Sequence, residues 1–181
     1  MNKDEIIEKL ELATKEFNSF CATIDDDSFF RQPLEKWSIA QNVKHLIVSA
    51  NSTRLAFTLP KFIVRIYAGK PNRASRTYDE LVNKYKLKLE QGGKASGRYI
   101  PEKIDRNYPK AKWLEDFSLS MSKLTNSINR KWTNEQLDQF IAPHPLLGKI
   151  TLRELCYFTI YHIHHHIAII KERLLDFSPT R

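Results

Sequence analysis

The chain has 181 residues, of which 41% are hydrophobic and 11% aromatic, so it can bury the core of one domain and is not intrinsically disordered. No apolar run approaches the roughly 20 residues of a bilayer-spanning helix, and the charged start MNKDEIIEKLE differs from a signal peptide. We therefore expect residues 1–181 to form one domain of a cytoplasmic protein that has no membrane partner.

The net charge of +8 arises from 29 lysines and arginines against 21 acidic residues. A basic balance can indicate a nucleic-acid partner, but these basic residues are scattered along the chain. Trp37, Trp113 and Trp132 also fit helix packing better than base stacking. We interpret the charge as a solvated basic surface and do not expect nucleic acid to bind. The same charge is compatible with an anionic small-molecule substrate.

Five segments carry apolar side chains at steps of three and four, which is the spacing of a helix with one buried face. In chain order they cover residues 4–24, 38–57, 77–92, 111–132 and 151–175. Three of them open on the spacing of a capping box: Ser38 with Gln41, Thr77 with Glu80, and Thr151 with Glu154. Residues 62–67, which follow Pro60, predict a short extra helix.

Strand signals are weak, and the later helices are separated by two connections. Residues 96–110 form a long connection, which is uncommon unless it is functional or mobile. Residues 143–148 hold two prolines and a glycine and are expected to be a loop. The sequence therefore predicts an all-α fold, a helical bundle with a longer insertion, residues 60–109, between its second and fourth main helices.

Two histidines of the last helix are directed to the same side. His162 and His166 are four residues apart, and their side of the helix is otherwise mostly apolar, so it faces the interior. His164 points to the opposite side, and His165 lies on the flank. Two inward imidazoles need polar partners, which a shared metal ion would provide. The alternative is a pair of buried histidines that hydrogen-bond locally.

A third histidine, His45, lies on the second helix and shares a polar side with Gln41, Ser49 and Ser52. This side is too polar for ordinary core and indicates a helix that lines a small wet cavity. Three neutral imidazoles from two facing helices leave one coordination position of a divalent ion open, as in catalytic zinc sites.

Three other reactive side chains are expected to lie outside any site. Cys21 and Cys156 fall in apolar helical patterns and belong to no CxxC pair, so we expect two buried thiols rather than a disulfide or a nucleophile. His144 lies in the expected loop at residues 143–148, and we place it in solvent.

Three motifs follow one another along the chain: Lys36-Trp37-Ser38 followed by His45-Leu46, Gly148 followed by Thr151, Leu152 and Glu154, and His162-x-x-His165-His166. Together they resemble the DinB-like (DNA-damage-inducible) superfamily of four-helix bundles, from the first helix to about residue 173. The resemblance implies an antiparallel bundle with an up-down-down-up path, and often a homodimer. It also implies a divalent metal, zinc or nickel, on His45, His162 and His166.

The resemblance and the site together allow two interpretations of function. The first is a metal-dependent enzyme, a hydrolase or a thiol transferase, in which the metal activates water or a small thiol such as bacillithiol or mycothiol toward a small-molecule substrate. Gln41, Ser49 and Ser52 are candidates to orient the ligand, whereas Tyr161 is directed away from the histidine pair. The second is a non-catalytic bundle that binds a metal or a ligand, since a fold does not carry an activity with it.

Overall fold

A computed structural model describes residues 1–176 and shows a mostly helical chain. The elements in order are α1 (Lys3–Ala22), α2 (Asp26–Phe30), α3 (Ile39–Thr58), α4 (Lys61–Ala68), α5 (Tyr78–Glu90), a 3₁₀ turn (Gly97–Tyr99), α6 (Lys110–Lys131), α7 (Gln136–Gln139), β1 (Ile141–His144), β2 (Gly148–Thr151) and α8 (Leu152–Asp176). The five long helical segments and the short extra helix of the sequence prediction are confirmed.

Capping side chains set the helix starts at the positions that the sequence indicates. Ser38 and Gln41 form a reciprocal capping box at the start of α3, and Thr77 and Glu80 form another at α5. Each box satisfies two backbone groups that would otherwise lack a partner, a contribution of about 1 kcal/mol per cap. Asp25, the first residue of the acidic run at residues 25–27, caps the short helix α2.

Contacts between the helix ends give the directions of α1 and α8. The amino group of Met1 donates to the hydroxyl of Tyr157 at 3.2 Å, which joins the starts of the two helices. Further along both helices, Glu16 lies 3.2 Å from His164. The two helices therefore run parallel.

Helices α3 and α6 of the bundle run in the opposite direction to α1 and α8. Lys3, at the start of α1, donates to the carbonyl of Asn129 near the end of α6 at 3.3 Å. The indole N–H of Trp132, just after α6, donates to the carbonyl of Phe57 near the end of α3 at 3.0 Å. Thus α3 and α6 are parallel to each other and antiparallel to α1 and α8. The predicted up-down-down-up bundle is confirmed.

Aromatic side chains fill the space between the long helices. Phe17 of α1 and Phe117 of α6 are fully buried, with ring centroids 4.9 Å apart. Burial of such a side chain stabilises the fold by about 1.5–3 kcal/mol. Cys21 and Cys156 are both buried and free, as predicted, and burial raises the pKa of each thiol to about 12.

The expectation of a loop at residues 143–148 is confirmed for residues 145–147, which form a turn, but it is wrong for Pro143, His144 and Gly148, which lie in the two strands of a β-hairpin. Strands β1 and β2 pair antiparallel with Ile141 opposite Thr151 and His144 opposite Gly148. The ring nitrogen Nδ1 of His144 accepts hydrogen bonds from the amides of Leu146 and Leu147, at 3.2 and 3.1 Å. A side chain that accepts from its own turn replaces the backbone bonds that the proline-rich sequence lacks.

The insertion at residues 60–109 covers the side of the bundle where α3 and α8 meet. Helix α5 packs on α8, with the ring of Tyr85 5.1 Å from Phe158, and the 3₁₀ turn packs on α3. None of the helices within residues 1–176 is both long and apolar enough to span a bilayer. That residues 1–181 form one domain stays a prediction, and residues 177–181 lie outside the described part.

Candidate metal centre

The three histidines singled out in the sequence meet between α3 and α8. The Nε2 atom of His162 lies 3.1 Å from Nε2 of His45 and 3.1 Å from Nε2 of His166. One ring nitrogen from each of the three falls within 4.8 Å of the others, and all three residues are buried. Residues that are far apart in the chain thus present three imidazole nitrogens to one point.

The spacing of these nitrogens fits ligands of a single ion. Zinc binds imidazole nitrogen at about 2.0–2.1 Å, so two ligands of a tetrahedral site lie about 3.3 Å apart. The two 3.1 Å separations are close to this value. A hydrogen bond between two imidazoles has a similar length, so the positions of the ring protons decide between the two arrangements.

The partners of the outer nitrogens place those protons on His45 and His166. Nδ1 of His45 lies 2.7 Å from the carbonyl oxygen of Tyr99, which can only accept, so this nitrogen carries the proton. Nδ1 of His166 lies 2.7 Å from Oδ1 of Asn42. The Asn42 amide is oriented by its own donation to the Ser38 carbonyl at 2.8 Å. Both neutral rings therefore direct an Nε2 lone pair to the centre.

His162 lies between these two lone pairs. If its Nε2 carried a proton, it could donate to only one of its two neighbours. Its Nδ1 lies 3.4 Å from the hydroxyl of Ser49, which can accept a proton from that side. With all three Nδ1 atoms protonated, three lone pairs face one another in a buried site. A cation removes this repulsion, and outer partners of this kind are the usual support of metal-bound histidines.

The environment keeps the three imidazoles neutral, which ligation requires. Burial lowers the pKa of His45 and lowers the pKa values of His162 and His166 well below the ordinary value. The neighbouring imidazoles lower the pKa values of His162 and His166 further. At neutral pH all three rings are therefore available as ligands.

A cavity of about 640 Å³ opens onto the three imidazoles, a volume typical of small-molecule sites. Ser49 and Ser52 line it, in agreement with the sequence interpretation. Gln41 does not, so the prediction that it orients a ligand is wrong. Its side-chain oxygen accepts from the Ser38 amide at 2.8 Å in the capping box, and its nitrogen donates to the Glu102 carbonyl at 3.4 Å.

The placement of His144 in solvent is also wrong. Its ring packs 4.2 Å from that of Phe158 in the wall of the cavity, because the hairpin folds over α8. Burial lowers the pKa of His144 to about 4. Since Nδ1 accepts from the turn amides of Leu146 and Leu147, the proton of this neutral ring is on Nε2. The cavity wall thus includes an imidazole that carries an N–H donor.

The other histidines of α8 lie as the helical geometry predicts. His164 is exposed and meets Glu16 of α1. His165 is half-buried on the flank and stacks on Tyr161, with ring centroids 6.0 Å apart. Tyr161 is not part of the cavity wall, whereas Tyr85 of α5 is.

Sequence reasoning missed Asn42 and Tyr99 as partners of the ligand rings. Asn42 precedes His45 by three residues and so lies on the same side of α3, which was an available signal. Tyr99 contributes a backbone carbonyl, which no side-chain pattern can indicate.

The chain is an antiparallel four-helix bundle in which α3 and α8 bring three buried imidazoles together. It therefore falls in the class of helical bundles with a candidate metal centre. The sequence profile of the DinB superfamily matches residues 9–170. The chain therefore belongs to the DinB superfamily.

A solved structure with a similar fold is that of YfiT from Bacillus subtilis, described as a probable metal-dependent hydrolase with an unusual four-helix bundle topology. The two proteins share 23% sequence identity and superimpose with a TM-score of 0.58, over 97% of this chain and 89% of YfiT. This likeness shows the fold. No curated protein sequence matches the chain significantly.

Proposed function

We propose that the protein is a metal-dependent hydrolase in which His45, His162 and His166 hold one divalent ion, zinc or nickel. The observation that supports this most directly is the convergence of three Nε2 atoms at 3.1 Å spacings, with two of the outer nitrogens committed to acceptors. The description of YfiT as a probable metal-dependent hydrolase agrees with it. Bound at an open site, such an ion activates water near neutral pH and polarises a substrate carbonyl.

The chain's own residues orient the site and polarise the substrate. Asn42 and the carbonyl of Tyr99 keep the ligand rings in one tautomer and one orientation. Glu35, which is exposed, is the one carboxylate among the described lining residues. An ion held by His45, His162 and His166 would therefore supply the activation of water in place of a carboxylate base. The N–H of His144 is directed by its turn and supplies a donor for the oxygen of the reacting group.

The same site supports a second candidate, transfer of a group to a low-molecular-weight thiol. The cavity of about 640 Å³ is large enough to admit a second small molecule beside the substrate. In this reaction an ion held by His45, His162 and His166 would supply activation of the thiol rather than of water. Assays with and without added bacillithiol or mycothiol separate the two reactions, because hydrolysis needs no thiol.

Metal analysis of protein purified without a histidine tag tests the site. We expect about one equivalent of zinc or nickel in the wild type, loss of that metal in His162→Ala, and retention in His164→Ala, which changes an exposed histidine of the same helix. Hydrolysis of ester and amide substrates should disappear with a chelator and return with added metal. Wild-type protein that neither contains nor takes up a divalent ion would refute the proposal.

The role of His144 has its own test. His144→Asn can place its side-chain oxygen where Nδ1 accepts from the turn amides, but it has no atom at the position of the ring Nε2, so the donor at that position is lost. We expect kcat to fall about 100-fold, with metal content and melting temperature unchanged. Unchanged turnover would exclude His144 from the reaction.

We also expect a homodimer, which sedimentation equilibrium measures directly.

A further inference from the structure

The cavity has two chemically different ends. Asn42 contacts His166, and His45 contacts His162, so α3 and α8 run antiparallel along the cavity. Residues just before α3 therefore lie beside the end of α8, and the end of α3 lies beside the start of α8. The side chains that line the cavity differ between these two regions.

Positive charge collects at the end formed by the start of α3 and the end of α8. The charged lining residues are Glu35, Lys36, Lys94, Arg98 and Arg173. Lys36 precedes α3, and Arg98 precedes Tyr99, whose carbonyl contacts His45. The side chain of Arg173 is only 15% exposed and has a long ion pair of 3.8 Å with Glu172. We call the region formed by Lys36, Arg98 and Arg173 the basic end.

Aliphatic side chains line the opposite end, which we call the apolar end. It comprises Leu55, Leu59, Ile63, Val64, Ile141 and Leu155. These residues come from the end of α3, from α4, from β1 and from the start of α8. The charged lining residues all belong to other segments of the chain. An apolar surface of this kind favours a hydrocarbon chain.

The three imidazoles lie between the two ends. On α8, Arg173 follows His166 by seven residues and Leu155 precedes His162 by seven residues. At 1.5 Å per residue, each of these steps is about 10 Å along the helix axis. A ligand that extends from the basic end to the apolar end therefore passes the candidate metal centre near its middle.

Taking the cavity as the substrate pocket of the proposed hydrolase, we propose that it binds an elongated amphipathic anion. The acidic head lies among Lys36, Arg98 and Arg173, and the hydrocarbon chain lies at the apolar end. An ester or amide bond that joins head and chain is thereby placed at the three imidazoles. The expected substrate class is an acylated molecule whose acidic group lies within about 10 Å of the acyl bond.

Binding of matched probes tests this inference without relying on catalysis. N-decanoylglycine carries a carboxylate, and N-decanoylglycinamide is its neutral counterpart of nearly the same shape. Binding is measured by calorimetric titration of the full-length protein. The protein is first treated with a chelator, so the carboxylate cannot bind to a metal ion. We expect the acid to bind about tenfold more tightly than the amide, as charge-assisted hydrogen bonds favour. The preference should decrease as salt is added.

Variants separate the two ends. Arg173→Gln should reduce the preference for the acid roughly threefold or more, whereas Arg130→Gln, on the exposed last turn of α6, should not change it. Glu35→Gln removes the opposing charge and should increase the preference. N-acetylglycine, which lacks the hydrocarbon chain, should bind far more weakly than N-decanoylglycine. Circular dichroism verifies that each variant is folded.

Three results would overturn the inference: equal affinity for the acid and the amide, tighter binding of decyltrimethylammonium than of the acid, or equal affinity for the acetyl and decanoyl acids. These outcomes are independent of the metal proposal. Preference for the acid in a protein that never binds metal would refute the hydrolase and leave the inference standing. A metal-loaded protein without the preference for the acid would refute the inference and leave the hydrolase proposal standing.

Discussion

Removal of the Asn42 side chain should weaken metal binding without touching a ligand. Asn42 accepts from Nδ1 of His166 at 2.7 Å and donates to the Ser38 carbonyl at 2.8 Å. In Asn42→Ala the His166 ring loses the acceptor that fixes its proton on Nδ1. The ring is then free to adopt the other tautomer, in which Nε2 carries the proton and cannot bind a metal.

The size of the effect follows from these two contacts. Loss of the outer partner of a metal-bound histidine typically reduces affinity by about 10- to 100-fold, which is about 1.4–2.7 kcal/mol. Ser49, at 3.4 Å from Nδ1 of His162, makes a weaker contact, so Ser49→Ala should cost less than Asn42→Ala. The buried Ser38 carbonyl also loses a donor, so we expect the melting temperature of Asn42→Ala to decrease.

Competition with a chelating dye measures zinc and nickel affinity. The matched control is Asn51→Ala, because Asn51 is exposed on the same helix. We expect the affinity of the control to equal that of the wild type. If Asn42→Ala were folded at the assay temperature and bound metal within twofold of the wild type, the argument from the ring tautomers would be wrong.

Three predictions concern stability and reactivity. Glu154 is fully buried and receives two hydrogen bonds from Arg73, at 2.7 and 2.8 Å. Because about a third of the Arg73 side chain stays exposed, Glu154→Gln should lower the free energy of unfolding by about 1–3 kcal/mol in urea titrations. Burial raises the pKa of the Glu154 carboxyl, but hydrogen bonds to the carboxylate outweigh burial and hold the pKa below its usual 4.5. The ionised carboxylate therefore stabilises the fold above pH 4.5, and this stabilisation should be lost as the pH falls below 4.5. Glu154→Gln should not show this loss. Cys21 and Cys156, with pKa values of about 12, should react with a thiol reagent only after unfolding, and rapid labelling of the native protein would contradict their burial. Gly93→Ala would place a Cβ 2.6 Å from the Lys88 carbonyl oxygen and should lower the melting temperature; an unchanged value would mean that this loop moves without cost.

The long helices could be predicted from sequence because their signals are local. Steps of three and four between apolar residues and the capping pairs both act within a few residues of each other. The hairpin gives no such signal, because each of its strands has four residues. Its turn depends on hydrogen bonds that the amides of Leu146 and Leu147 donate to the His144 side chain. A pattern of prolines and leucines does not indicate those bonds.

The candidate site divides in the same way. The pair His162 and His166 is visible from its spacing on one helix. The placement of His45 beside them depends on how α3 packs on α8. The polar side of its own helix and the family resemblance both link His45 to the pair. The contribution of His144 could not be predicted, because its position depends on the hairpin and not on any helical period.

The insertion at residues 60–109 connects the candidate metal centre to the choice of substrate. Tyr99 holds the His45 ring through its carbonyl oxygen at 2.7 Å, and its neighbour Arg98 carries one of the charges of the basic end. A shift of this short 3₁₀ segment would therefore move a ligand ring and the charge that meets the acidic head together. Relatives that differ here should differ in both metal affinity and substrate, because one piece of backbone supports both.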